Sequence, residues 1–207
     1  MIHIPKNLKN ILVDMDGVTA DLEKGFLKEW RAKHPNLNYI PLDKRTTFFP
    51  KTQYVKEFGE EYDELINDIV YSEGFLYNLP TVEGAIEALK ELDYLGHKVT
   101  ILTSPLGNSK MDKDLLEKVE ELSRKEKEMY IEKHLGKEWI KEDRLMVRKD
   151  KHNVEGDYLI DDKSEVERLP ETTWEQILFI RSPYNDSSQI QKRMTWKDDY
   201  KKILGIN

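Results

Sequence analysis

Hydrophobic and polar positions along this chain fall into blocks that switch between two periods. Residues 10–14 are a short apolar run ending at Asp14, the pattern of a buried strand. Residues 21–33 put Leu22, Phe26, Leu27 and Trp30 on one face of a helix. His34-Pro35-Asn36 then reads as a turn. Residues 41–52 are irregular. Residues 53–70 form a second amphipathic segment through Tyr54, Val55, Phe58, Tyr62, Leu65, Ile66 and Ile69. The whole stretch 18–78 thus reads as helical, without a strand. After it the alternation resumes: a helix over 82–95 stopped by Gly96, a strand over 97–103, and a long charged helix over 112–135 closed by Gly136. Short strands follow at 144–147 and 157–160, a last strand at 176–180 and a closing helix over 196–204. Ser164 and Glu167 have capping-box spacing for a helix after Asp161-Asp162. The charged run 117–128 reads as a solvated helix face.

Strands alternating with helices predict βαβ units and an α/β fold with a mainly parallel sheet. In such sheets ligands bind beyond the carboxyl ends of the strands. The polar residues at those ends are Asp14 and Asp16, Thr103 and Ser104, and Asp161 and Asp162. Together they describe one site, and the helical stretch 18–78, leaving directly after the first strand, is placed to act as a lid over it.

Composition narrows the chemistry. The 207 residues suit one domain with an insertion or two small ones, with 38% hydrophobic and 35% charged residues. The absence of cysteine removes disulfides, thiolate metal sites and cysteine nucleophiles together, and fits a cytoplasmic address. Met1-Ile2-His3-Ile4-Pro5-Lys6 lacks the apolar core of a signal peptide, and no stretch approaches the ~20 apolar residues of a membrane span. A net charge of −7 argues against binding polymeric nucleic acid, but not against a small anionic substrate held by a cation and a lysine. A homodimer is allowed by the sequence without being indicated by it.

Asp14 and Asp16, two like charges two positions apart and followed by Gly17, ask for a metal, a catalytic proton, or both. With Asp161 and Asp162 they make four carboxylates able to hold a hard divalent cation, Mg²⁺ before others. No histidine or cysteine cluster favours zinc. Asp14 can then act as a nucleophile and Asp16 as acid and base. Thr103 and Ser104 can hydrogen-bond phosphoryl oxygens, and Lys151 can neutralise their charge, which is what phosphoryl transfer needs. Taken singly, each has a plainer reading. The aspartate pairs suit turns or helix caps, Thr103-Ser104 a strand end, Lys151 a solvated surface, and Phe48, Phe49 and Phe75 an apolar core. A calcium loop would need a glutamate where Gly25 stands.

The ordered set Asp14-Met15-Asp16-Gly17-Val18, Thr103-Ser104, Lys151 and Asp161-Asp162 resembles the four motifs of the haloacid dehalogenase superfamily. The segments VDMDGVTAD (13–21), ILTSP (101–105), YIEKHLGKEW (130–139), RKDK (148–151), GDYLIDD (156–162) and WEQILF (174–179) are similar to those of the 5′(3′)-deoxyribonucleotidases. The similarity covers residues 11 to 204 and is weakest over 36–75. It implies a Rossmann-like three-layer core over 1–17 and 79–207, with a helical cap over 18–78. It implies Mg²⁺ on Asp14, the Asp16 carbonyl and one of the paired aspartates, with Asp162 favoured as ligand and Asp161 as its support. It also implies an aspartyl-phosphate on Asp14 and a nucleoside between core and cap, where Phe48, Phe49 and Phe75 are the candidate aromatics. Leu22 stands where relatives such as the mammalian enzymes carry phenylalanine, a difference that bears on base preference and not on hydrolysis. The expected activity is hydrolysis of nucleoside monophosphates, with another small phosphomonoester such as a sugar phosphate as the alternative substrate. A non-catalytic ligand-binding relative is the rival from another class, but no catalytic residue is missing. Nothing in the sequence favours a structural or interaction protein.

Overall fold

In a computed structural model of the chain, residues 7–108, 110–181 and 183–206 are described. The amino-terminal six residues, which bear on the signal-peptide expectation, lie outside that range. Six strands form one sheet in which every pairing is parallel. They are β1 (Asn10–Val13), β2 (Lys98–Thr103), β3 (Leu145–Val147), β4 (Tyr158–Asp161), β5 (Glu175–Phe179) and β6 (Arg193–Met194). Their order is β3-β2-β1-β4-β5-β6, so β1 is central and the order reverses beside it. The α/β expectation holds. β6, only two residues long, had no periodicity to reveal it.

Three helices lie between β1 and β2 before the one that leads into β2. These are α1 (Leu22–Lys33), α2 (Pro50–Phe58) and α3 (Glu61–Val70). Asp21 caps α1 by accepting from the Lys24 N–H at 3.1 Å. The single segment expected over 53–70 is two helices, because Gly59 takes φ +114° and breaks the run. Phe26, Trp30, Tyr54 and Tyr62 stack into an aromatic core for this region, with ring centroids 5.1–5.8 Å apart for the pairs that Phe26 and Tyr54 make with Trp30 and with each other. α4 (Ala85–Tyr94) leads to β2, α5 (Lys113–Leu135) and α6 (Lys137–Lys141) lead to β3, and α7 (Tyr200–Ile203) ends the chain. One apolar cluster runs from the sheet through α4 and α5 into α1, α2 and α3.

Three expectations fail for physical reasons. No helix follows Asp162. Residues 165–169 are irregular, and the Val166 N–H donates to Gln176 Oε1 at 3.0 Å instead of entering a helical turn. Pro170 stands where the second turn would form. The closing helix is shorter than expected because Trp196 is in the core, its Nε1 donating to Val18 O at 2.8 Å. The run 117–128 is not a fully solvated face, since α5 buries Val119, Ser123, Glu126 and Lys127 along one stripe. Among the described residues, no helix is long and apolar enough to cross a membrane. Trp30→Ala should lower unfolding free energy by about 3–5 kcal/mol in urea titration, since the indole is fully buried and its Nε1 holds Asn38 O.

Candidate active site

Parallel register assembles the centre. β1 and β4 are neighbours with Val13 beside Ile160, so Asp14 and Asp161 leave the same sheet edge side by side. Carboxylate oxygens of Asp14, Asp161 and Asp162 lie within 4.8 Å of one another, and all three residues are buried. Lys151 opens a short 3-10 turn, Lys151–Asn153, whose place is set by the buried Trp174 indole donating to the Lys151 carbonyl at 3.2 Å. Its Nζ sits 3.0 Å from Asp14 Oδ1 and 2.6 Å from Asp161 Oδ2. Burial alone would pull this ammonium down, but the Asp14 and Asp161 carboxylates outweigh it and hold the pKa above the ordinary lysine value.

The paired aspartates are not equivalent. Asp161 is spoken for on both oxygens: Oδ2 by Lys151 and Oδ1 by the Lys163 N–H at 2.9 Å. Asp162 accepts the Tyr184 hydroxyl on Oδ2, while its Oδ1 is buried without a hydrogen-bond partner among the described residues. Burial, then the charges of Asp161 and Asp14, push the Asp162 carboxyl well above its usual range. An orphaned buried carboxylate oxygen beside two more carboxylates fits a hard divalent cation. Gly17 is part of the fit. Its φ is +83°, and a Cβ there would stand 2.0 Å from Asp162 Oδ2.

Asp16 meets a different cation. The Lys127 ammonium, on a fully buried side chain of α5, lies 2.5 Å from Asp16 Oδ2 and 2.7 Å from Thr103 Oγ1. Burial pushes the Asp16 carboxyl up, and Lys127 partly opposes it. Four carboxyl groups, those of Asp14, Asp16, Asp161 and Asp162, thus gather around the ammonium groups of Lys127 and Lys151. Thr103 ends β2 and is buried. Ser104 Oγ is 3.4 Å from Arg148 O.

The candidate aromatics spread out. Phe48 is half-buried, with its ring 4.8 Å from Phe49 and 6.1 Å from Tyr184, which belongs to the loop after β5. Phe49 is 63% exposed, and Phe75 is buried, as Leu22 is in part. The segment carrying Phe48 is held by Arg45, buried and paired with both Glu23 oxygens at 2.7 and 3.1 Å, and donating to Gln53 Oε1 at 2.7 Å. The loop after β5 reaches the site through Arg181, which pairs with Asp21 at the start of α1, and through Asn185, whose Nδ2 donates to the Asp162 carbonyl at 2.9 Å.

Sequence reasoning missed Lys127, Tyr184, Arg181 and Asn185. For Lys127 a signal existed. Val119, Ser123, Lys127 and Tyr130 recur at helical spacing, so the charge sits on the buried stripe of α5. The other three lie in a loop without periodicity.

This parallel sheet gathers acids, hydroxyls and a lysine at its carboxyl edge, and the chain is a phosphoric monoester hydrolase. At the level of fold it is similar to a HAD family hydrolase from Deinococcus radiodurans R1 solved with bound phosphate and sodium, with a TM-score of 0.57 at 11% identity over 91% of each chain. The family model described as 5′ nucleotidase, deoxy (pyrimidine), cytosolic type C protein matches residues 8–206, and the chain belongs to that family. It is 34% identical to the mitochondrial 5′(3′)-deoxyribonucleotidase of Mus musculus over 200 residues, 94% of this chain and 84% of that one. It is 33% identical to the cytosolic-type 5′(3′)-deoxyribonucleotidase of Homo sapiens over 199 residues, 94% of this chain and 92% of that one.

Lys127→Met should leave Asp16 without its cation and cost about 1–3 kcal/mol at neutral pH. The double variant with Asp16→Asn should recover most of that loss in urea titration. Equal instability of single and double variants would mean that the pair is not what Lys127 serves.

Proposed function

We propose that the chain is a Mg²⁺-dependent phosphatase that hydrolyses deoxyribonucleoside monophosphates through an aspartyl-phosphate on Asp14. The observation that carries this reading is the division of labour among the four carboxylates. Asp14 Oδ1 is held by its neighbour's N–H and by Lys151, at 2.8 and 3.0 Å, and its second oxygen has no hydrogen bond among the described residues. That oxygen attacks phosphorus, the new O–P bond replaces the ester P–O bond, and Asp16 gives its proton to the departing sugar oxygen. Asp16 then takes a proton from the water that attacks phosphorus, and phosphate leaves with Asp14 restored. The raised Asp16 carboxyl suits a group that must carry a proton, and Lys127 orients it. Thr103 and Ser104 hydrogen-bond the phosphoryl oxygens, and Lys151 balances their charge.

Asp14, the Asp16 carbonyl and Asp162 would hold the cation, with Asp161 committed to Lys151. The unpartnered Asp162 oxygen beside the Asp14 and Asp161 carboxylates supports a divalent ion. When bound, that ion supplies Lewis-acid neutralisation of phosphoryl charge. Residues 18–78 form the cap over a core of 1–17 and 79–207, with the nucleoside between them against Phe48 and Phe75 and beside Leu22 and Phe49. The named deoxyribonucleotidase relatives support the nucleoside part, and a cytoplasmic place of action fits a chain without cysteine.

The test is a Mg²⁺ assay across deoxyribo- and ribonucleoside 5′- and 3′-monophosphates and sugar phosphates, with EDTA and Asp14→Asn as controls. Deoxyribonucleotides should be preferred, and both controls should abolish turnover while Asp14→Asn stays folded. A sugar phosphate hydrolysed better than every nucleotide would reassign the substrate, and an active Asp14→Asn enzyme would sink the mechanism.

A further inference from the structure

Glu126 precedes Lys127 on α5 and is also buried, yet its carboxylate turns to a different part of the fold. Its carboxylate accepts three backbone N–H groups from a segment fifty residues earlier. Gly74 donates to Oε1, and Leu76 and Tyr77 donate to Oε2 at 2.9 and 3.3 Å. That segment carries the chain from α3 back to the core. Gly74 takes φ +87°, a conformation that an L side chain resists. Lys133, two turns further along α5, lies 4.5 Å over the Tyr77 ring. The three donors bracket Phe75, whose own N–H goes to Ser72 O at 3.2 Å within the segment.

We infer that Glu126 is a positioning residue for nucleoside recognition. It fixes the return segment, and with it Phe75, at a set distance from Asp16, because the next residue on the same rigid helix holds Asp16. One peptide bond of α5 thereby ties where the substrate's base is held to where its phosphate is cleaved. A carboxylate suits this task, since its two oxygens offer about four acceptor sites and three buried N–H groups need satisfying. A glutamine would turn donors toward donors. This inference rests on the nucleotidase reading above.

The experiment compares deoxyuridine 5′-monophosphate with 2-deoxyribose 5-phosphate, which keeps sugar and phosphate and lacks the base. In Glu126→Gln, KM for the nucleotide should rise about tenfold or more, from the loss of charge-assisted hydrogen bonds, while kcat/KM for the base-free ester changes less than about threefold. Glu126→Asp, with its charge kept on a shorter arm, should restore part of the nucleotide KM. Hydrogen exchange on the unaltered protein should find the amides of Gly74, Leu76 and Tyr77 protected, and free exchange there overturns the contact itself. A parallel loss on both substrates, or no change on either, overturns the positioning role. If Glu126→Gln does not fold, Glu126→Asp is put through the same comparison, and a parallel loss there counts against the inference equally. Should the unaltered enzyme show no preference for the nucleotide, the nucleotidase reading fails, an outcome read before any variant is made.

Discussion

Everything at this site follows from one electrostatic constraint: the sheet forces carboxylates together. With Val13 level with Ile160 in adjacent parallel strands, Asp14 and Asp161 must leave the sheet as neighbours, and Asp162 follows. Like charges this close and this buried would destabilise the fold unless something answered them. Two lysines do so from different directions. Lys151 comes from the turn before β4 and is shared by Asp14 and Asp161, and Lys127 comes from α5 and serves Asp16. The answer is incomplete, because Asp162 keeps a buried oxygen with no partner among the described residues. A protein that only needed a stable fold would replace such a residue with an apolar one. Retaining it makes sense where a cation or a substrate completes the balance.

The same constraint explains why the surrounding structure is so heavily tied down. A charge cluster can be held only by groups that cannot drift, and each lysine is locked by its element. The fully buried Trp174 grips the Lys151 carbonyl, and the whole length of Lys127 lies inside the stripe of α5. Tyr184 and Asn185 hold the side chain and the carbonyl of Asp162, and Arg181 from the same loop reaches Asp21 where α1 begins. The helical stretch after β1 is therefore fastened at both ends by charged groups of the core: Arg181 at its departure and Glu126 at its return.

How much of this could be read along the chain depended on where the information lay. β1, β2, β4 and β5 announced themselves as apolar runs, and Asp14, Asp16, Thr103, Asp161 and Asp162 could be placed at one edge because topology follows from alternation, whereas Lys151 was marked out only by the resemblance to a family. What failed was local signal contradicted by tertiary partners. Ser164 and Glu167 have the spacing of a capping box, but the Gln176 side chain takes the Val166 N–H and Pro170 closes off a second turn. Gly59 split a segment whose apolar spacing looked continuous. Glu126 and Lys127 were hidden by their neighbours. Nine charged residues within 117–128 read as solvent-facing, although the period of the stripe passes through these two.

That last misreading has a physical lesson about buried charge. Charged residues are placed on the surface by default because burying one alone is costly. The cost disappears only if the partner is already waiting, and a partner distant in sequence is invisible to any local rule. Lys127 finds Asp16 and Thr103 across 111 and 24 positions, and Glu126 finds three amides about fifty positions away. Adjacent residues of opposite charge on one helix would ordinarily be expected to answer each other or the solvent. Here each turns to a different remote group, one at the chemistry and one at the segment beside Phe75. A charge pair that sits on the apolar period of a long helix is therefore a better marker of function than a charge run as such, because burial there has to be explained by something elsewhere in the fold.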